Sequence, residues 1–529
     1  MKGVNPNESE ESVDKTGASV NCGVMNKTMQ ANLTDPKQRH FATEHLMDDL
    51  RARSLRGGTA TVIAQAVKFV LQLGSTIVLA RLLTPADFGL VAMVSTVTGF
   101  IGLLKDAGLS MATVQRARVT HEQVSTLFWI NIALSILLML IAMASAPLVA
   151  WFYGESALKW VTVSLAATFV FSGLTVQHQA LLRRQMQFGK LAVIQVVSMS
   201  VGLSASVLAA LCLRSYWALV FSPIGGAVAN AVGVWVASGW KPGLPSRGSG
   251  AAEMIKFGTG LTLASFCNYL REQGPFVIIG WAFGPASLAI YEKAYRLLVL
   301  PLRQMMPPVS AVAIPVLSRV QEDESRFRSI ARNLLFVSTF FSIAPASYIV
   351  AVAPEIVTIV LGPQWERAGL IFAYLTPLAA TQAVSSVMIW CITTQGKSTV
   401  LLRYSFINTI IARGTVVIGS LYGLEWAALM FSIGGVMFRA PMLYASVVKH
   451  TPITWSDLVG QTFRTVLAGV VISGVGALAR YVYLQTDLSY VWMLVWFGIC
   501  SVAWLGIAFQ LRVFPSLRAM LKHRSNEAV

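Results

Sequence analysis

The sequence has little charge for its length. Among its 529 residues, 12% are Asp, Glu, Lys or Arg and 55% are hydrophobic, whereas a soluble domain carries about twice that share of charged residues. Apolar runs of about 20 residues recur along nearly the whole chain, and each is long enough for a helix to cross a hydrocarbon core of about 30 Å. The composition therefore excludes a soluble globular protein and predicts an all-α polytopic membrane protein.

Residues that form metal sites, disulfides and cofactor sites are also scarce. The chain has five cysteines and six histidines, and none of them has metal-ligand or HExxH spacing. A GxxxxGK[ST] loop for nucleotide phosphates is absent from the sequence. The loops between apolar runs are too short to build an active site with paired carboxylates. We therefore expect no metal, no cofactor and no catalytic residues, and the chain is predicted not to be an enzyme.

The charge is strongly positive, with 41 Lys and Arg against 24 Asp and Glu. The basic residues lie in short loops between spans and not on an aromatic-rich soluble face, so we expect no nucleic-acid partner. Every second loop is basic, from Arg116 and Arg118 onward to Lys449. This alternation follows the positive-inside rule and predicts that both termini are cytoplasmic.

Turn signals divide the apolar runs into about fourteen transmembrane helices. The first span aligns without a gap on the seventh at an offset of 200, so that Gly58 falls on Gly258 and Pro85 on Pro285. Six spans separate the two copies, which predicts two parallel six-helix lobes followed by a C-terminal helix pair. The predicted domains are a polar, disordered cytoplasmic leader at 1–55, an N-lobe at 56–240, a C-lobe at 250–447, helices 13 and 14 at 460–512, and a basic cytoplasmic tail at 513–529. Within the leader, Met47 is an alternative translation start.

The segment from Ser287 to Met306 carries charges although it lies between long apolar runs. On a helix, Glu292, Arg296 and Arg303 fall within about 40° of one another, so they form one stripe. Glu292 and Arg296 are in the favourable i,i+4 order for an ion pair, and Lys293 lies on the flank of the stripe. The preceding span and the first span add further polar stripes.

A central Arg or Lys in a membrane helix costs about 2.5–3.5 kcal/mol, so such residues usually face a cavity, a partner or a pathway. Arginine suits phosphate because its planar fork donates two hydrogen bonds to phosphate oxygens. The stripes therefore predict a hydrated cationic cavity, with snorkelling to an interface and structural ion pairs as the alternatives. The predicted site comprises the cationic residues Arg271, Lys293, Arg296, Arg303 and Lys68, the ion-pair or coupling candidates Glu272 and Glu292, and the polar lining residues Gln65, Gln72 and Asn268.

Four motifs resemble one known family: ARLLTPADFGL at 80–90, LLKDAGLSMATVQR at 103–116, YEKAYRLLVLP at 291–301 and PVLSRVQED at 315–323. They are similar to Wzx-type polysaccharide flippases, within the multidrug/oligosaccharidyl-lipid/polysaccharide exporter superfamily. The resemblance implies a multi-pass protein of the bacterial inner membrane that uses alternating access. Its substrate would be a polyprenyl-diphosphate-linked oligosaccharide, moved from the cytoplasmic to the periplasmic leaflet for exopolysaccharide or O-antigen synthesis. Membrane lipid, a polysaccharide polymerase and export machinery are the other implied partners.

Three other functions stay open on the sequence. A lipid II flippase is also consistent with fourteen spans and a cationic cavity, although the motifs favour the polysaccharide flippases. A cation-coupled multidrug exporter would be expected to carry a carboxylate in the first span, and 58–80 contains none. A membrane polysaccharide polymerase or ligase would be expected to show a longer extramembrane segment.

Overall fold

The protein is described from a computed structural model, which covers residues 50–104, 110, 113–114, 116, 119–246, 251–483 and 489–510. These residues form helices joined by short connections. In our numbering the helices are α1 (Leu50–Leu82), α2 (Pro85–Gly102), α3 (His121–Tyr153), α4 (Ala157–Arg184), α5 (Phe188–Leu213), α6 (Trp217–Ser238), α7 and α8 (together Ala251–Arg319), α9 (Glu324–Leu361), α10 (Glu366–Thr394), α11 (Ser398–Ser420), α12 (Leu424–His450), α13 (Trp455–Tyr483) and α14 (Ser489–Gln510). The prediction of an all-helical chain with about fourteen helices is confirmed.

The helices α7 and α8 meet at Gly284 without an intervening loop. Gly284 has φ 78° and ψ −177°, a backbone conformation that glycine adopts without the steric cost of a Cβ atom. At the corresponding position 200 residues earlier, Thr84 caps α2 and exchanges hydrogen bonds with Asp87 in a capping box. In both places a proline, Pro85 or Pro285, follows the break.

Twelve stretches of the described residues are long and apolar enough to cross a membrane. One of them, Glu272–Val299, runs through the junction of α7 and α8, and α14 contributes the shorter apolar helix Gly498–Ile507. Large hydrophobic side chains are exposed along many of these helices, as expected when lipid is the surrounding solvent.

Most of the large helix–helix contacts lie within the first six helices or within the later group. Within the first six, α1 packs on α5, α5 on α6, and α3 on α4; within the next group, α9 packs on α10 and α11 on α12, while α13 packs on α9. The division into two lobes with a C-terminal pair stays a prediction. The helix α1 begins at Leu50, within the predicted leader; the rest of that leader and the tail at 513–529 lie outside the described residues.

Among the described residues, the early helices contact the later ones at two regions that bear on the site, besides a smaller contact of α3 with α7 and α8. At one, Gln364 donates hydrogen bonds to the carbonyls of Ala80 and Leu83. Trp365 Nε1 donates to the same Ala80 carbonyl at 2.9 Å, and Arg81 Nη2 donates to the Ile359 carbonyl at 2.6 Å. These bonds join the α1–α2 turn to the connection between α9 and α10.

The second region is the contact of α2 with α7 and α8. Tyr269 of α7 donates a hydrogen bond to the Thr96 carbonyl of α2 at 2.9 Å. A Cβ atom at Gly89 of α2 would overlap the carbonyl of Pro285, so the missing side chain lets α2 and α8 approach closely. The predicted charged segment thus starts beside the first half of the chain.

Candidate functional site

The charged stripe on α8 forms the predicted ion pair. Arg296 Nη2 lies 2.5 Å from Glu292 Oε1. The Arg296 side chain is 59% exposed, whereas that of Glu292 is 12% exposed. The carboxylate is therefore partly enclosed, and the guanidinium it holds is still accessible to a second anionic group.

Lys293 lies on the flank of the stripe, as the helical spacing predicts, and turns towards α2. Its ammonium is 4.1 Å from the centroid of the Phe88 ring, within the range of a cation–π interaction. Phe88 is buried and packs edge-on against Trp365 at 5.4 Å between ring centroids. The cation of Lys293 is thus placed where α8 meets the first half of the chain.

Of the remaining predicted cations, Lys68 has a described side chain. Lys68 of α1 donates a hydrogen bond to Gln195 Oε1 of α5 at 2.8 Å, so it binds a polar partner within the first six helices. Its neighbours Gln65 and Gln72 are exposed. The side chains of Asn268, Arg271 and Arg303 lie outside the described part of the chain, and their place in the site stays a prediction.

A cavity of about 430 Å³ lies among α7, α8, α10, α11 and α12. One wall is aromatic, because Phe276, Tyr291 and Tyr295 form a cluster with ring centroids 5.6–6.5 Å apart. Another wall is polar and includes the amides of Gln382 and Asn408. Among the predicted site residues with described side chains, Glu272 lines this cavity.

Arg439 also lines the cavity. It ends a π-helical turn, Gly435–Arg439, inside α12, and such turns often mark functional sites. Pro441 follows the turn and lacks a backbone N–H, which removes one regular helical hydrogen bond. Arg439 Nη2 donates to the Phe431 carbonyl at 2.6 Å, and its guanidinium lies 4.4 Å from the Phe431 ring centroid.

Two further groups in this region lie outside the predicted site. The Tyr291 side chain is fully buried, and its hydroxyl has no hydrogen-bond partner among the described residues. Arg413 of α11 lies against α7, since a Cβ atom at Gly274 would come within 2.8 Å of its Nε. The signal for Tyr291 was present in the YEKAY motif, but its burial depends on helices that are distant in sequence.

The described residues contain no group of three or more His, Cys, Asp or Glu that could hold a metal ion. What the site offers instead is accessible arginine on α8 and an aromatic, amide-lined cavity beside it. A family profile described as "Polysaccharide biosynthesis protein" matches residues 78–369, more than half of the chain. The chain belongs to this family.

The alignments to two named relatives extend over most of the chain. It is 22% identical over 376 residues to the lipopolysaccharide biosynthesis protein WzxC of Escherichia coli, covering 70% of this chain and 76% of WzxC. It is 26% identical over 423 residues to the succinoglycan biosynthesis transport protein ExoT of Rhizobium meliloti, covering 77% of this chain and 85% of ExoT.

The fold is similar to that of a solved transporter. The lipid II flippase MurJ, in an inward closed conformation, superposes with a TM-score of 0.66 at 15% identity, covering 85% of this chain and 98% of MurJ. At that identity the likeness concerns the fold alone. The family match and the two relatives, one of them a transport protein, place the protein among the multi-pass membrane transporters of bacterial polysaccharide biosynthesis of the Wzx type, and not among enzymes.

Proposed function

We propose that this transporter is a flippase for a polyprenyl-diphosphate-linked oligosaccharide repeat unit. It would move the headgroup from the cytoplasmic to the periplasmic leaflet of the inner membrane by alternating access, with both of its own termini in the cytoplasm. The product would supply exopolysaccharide or O-antigen synthesis. The observation that carries the proposal is the Glu292–Arg296 pair, which leaves a guanidinium 59% exposed on a membrane-spanning helix.

The exposed guanidinium suits a lipid diphosphate. Arginine donates parallel hydrogen bonds to phosphate oxygens and stays charged under all physiological conditions. When no substrate is present, the Glu292 carboxylate satisfies Arg296 at 2.5 Å. An arriving diphosphate would displace the Glu292 carboxylate from Arg296, or share the guanidinium with it. The cation would therefore never be left unpaired in a low-dielectric region, where an isolated charge is costly.

The other predicted cations would complete the diphosphate site. Lys293 is held against Phe88, so it would contact the substrate from the side of α2. Arg271 and Arg303 would add positive charge from α7 and from the far end of α8, and Lys68 from α1. Glu272 would serve as an ion-pair or proton-coupling group. The sugars would lie inside the protein while the polyprenyl chain stays in lipid.

A lipid II flippase is the second candidate, because its fold is shared with this chain, although a shared fold does not assign a substrate. Lipid II and the proposed substrate share the polyprenyl diphosphate, so the cationic residues alone do not separate the two functions. The family match and the relatives named for lipopolysaccharide and succinoglycan biosynthesis favour the polysaccharide substrate. Loss of surface polymer with normal peptidoglycan synthesis in a deletion strain would distinguish it.

The proposal is tested with Arg296→Ala, expressed to the level of the wild type in a deletion strain. We expect the lipid-linked oligosaccharide to accumulate on the cytoplasmic leaflet and polymer output to fall by at least about tenfold, corresponding to about 1.4 kcal/mol. Arg367→Ala is the matched control, because Arg367 is 60% exposed and pairs with Glu425 at 2.6 Å. Normal polymer from Arg271→Ala, Arg296→Ala and their double variant would overturn the binding role.

A further inference from the structure

The cavity among α7, α8, α10, α11 and α12 is distinct in chemistry from the arginine stripe. Among the described residues, its charged lining residues are Glu272 and Arg439, one acid and one base, so the described lining carries no excess of positive charge to attract a diphosphate. Its volume of about 430 Å³ falls in the range typical of small-molecule sites. The cavity is therefore suited to a ligand that is polar but not strongly charged.

The aromatic wall favours a ligand with both apolar and polar faces. Tyr291 and Tyr295 have nearly parallel rings, 5° apart, and Phe276 stands edge-on to both. A pyranose ring presents C–H faces that pack on aromatic rings, and hydroxyls around its edge that need hydrogen-bond partners. Rigid aromatic side chains supply such contact area at little cost in conformational entropy.

The polar groups of the cavity match the edge of such a ring. Gln382 and Asn408 carry amides, each able both to donate and to accept hydrogen bonds. The Tyr291 hydroxyl is fully buried without a partner among the described residues, which costs about 1–3 kcal/mol unless a ligand or water satisfies it. A cavity of this kind is suited to a polyol and poorly suited to a lipid tail.

We propose that this cavity is a carbohydrate subsite, in which Tyr291, Gln382 and Asn408 bind sugar hydroxyls of the lipid-linked oligosaccharide against the aromatic wall. The inference rests on the proposed function and adds a location for the sugars. The Glu292–Arg296 pair follows Tyr291 on the same helix, α8. One substrate could therefore place its diphosphate on the arginine stripe and a sugar in the cavity.

The test compares two probes on the full-length protein in lipid nanodiscs: polyprenyl diphosphate without sugar, and the lipid-linked oligosaccharide isolated from the source bacterium. We expect the wild type to bind the glycosylated lipid at least about tenfold more tightly, a difference of about 1.4 kcal/mol. The double variant Gln382→Met, Asn408→Leu should lose that difference and bind the bare diphosphate within about twofold of the wild type.

A second variant tests the subsite independently, in case the double variant misfolds. Tyr291→Phe removes a hydroxyl without a partner among the described residues, so its midpoint of thermal unfolding should be equal to or above that of the wild type while the sugar-dependent affinity falls several-fold. Gln179→Met, which removes an amide from α4 bonded to Asn230, is the control and should bind both probes normally. Equal affinity of the wild type for both probes, or unchanged sugar-dependent affinity in both cavity variants, would overturn the subsite and leave the flippase proposal standing. Failure of the wild type to bind either probe would overturn both.

Discussion

The ammonium of Lys293 on α8 lies 4.1 Å from the centroid of the Phe88 ring on α2. The two residues are more than 200 positions apart in the sequence, and they join the charged stripe to the first half of the chain. Lys293 is held by an aromatic face, and its nearest carboxylate neighbour in sequence, Glu292, is paired with Arg296. Its charge is thus positioned where α8 meets α2.

Replacing Lys293 with Met should lower polymer output by several-fold. The thioether keeps most of the apolar contact with Phe88 but removes the cation that we assign to the diphosphate. Lys293→Arg keeps both the charge and the cation–π contact, so it should retain most of the output. Polymer yield at matched expression is the measurement, and equal yields from the Met and Arg variants would contradict a role for the charge.

Glu292→Gln should tighten binding of polyprenyl diphosphate. The substitution removes the carboxylate that pairs with Arg296 at 2.5 Å. Binding of a phosphate to the guanidinium then no longer requires this ion pair to be broken. We expect a several-fold gain in affinity that weakens with added salt. Transport should slow if release of the diphosphate becomes limiting. As a control, Glu425→Gln at another exposed pair removes the partner of Arg367 and should leave the affinity unchanged. A lower affinity in the Glu292→Gln variant would contradict competition between the carboxylate and the diphosphate.

Asp457→Ala should loosen α13 from the body of the protein. The Asp457 side chain is only 4% exposed, and it pairs with Arg328 at 2.5 Å and with Arg332 at 3.6 Å, both on α9. It also accepts hydrogen bonds from the backbone N–H and the hydroxyl of Thr454. Removing it should cost about 1–3 kcal/mol of stability, because its partners lose a buried acceptor.

Thermal unfolding of the purified protein in detergent measures this loss. Arg367→Ala breaks a more exposed pair and should change the midpoint little, since exposed salt bridges contribute about 0–1 kcal/mol. Equal midpoints for the Asp457 and Arg367 variants would show that the buried pair does not anchor α13.

Gly89→Ala should separate α2 from α8. The added Cβ atom would overlap the carbonyl of Pro285, and overpacking of this kind costs about 1–3 kcal/mol. Gly74→Ala in the preceding helix is the matched control, since a Cβ atom there meets nothing within 4 Å. We expect lower thermal stability and weaker transport from the first variant and wild-type behaviour from the second. A Gly89 variant as stable as the Gly74 variant would contradict the close approach.

Several features could be predicted from the sequence because they depend on local spacing and composition. Apolar run length predicted the helices, and the i,i+4 spacing predicted the Glu292–Arg296 pair, which lies on one helix. The place of Arg439 in the cavity could not be predicted, because the π-helical turn at Gly435–Arg439 has no period that hydropathy reveals. The grouping of Lys68 with the α8 cations has no support in a direct contact, since Lys68 binds Gln195.

The sequence by itself determined that this protein is a helical membrane protein with charged residues on particular helix faces, because hydropathy and helical periodicity are properties of adjacent residues. Only the tertiary structure decided which faces meet. The contact of Lys293 with Phe88 joins helices about 200 residues apart in the sequence. The cavity likewise brings Tyr291 together with Gln382 and Asn408, which lie on helices about 100 residues further along the chain. Such contacts are set by how whole helices pack, and no local pattern encodes that packing.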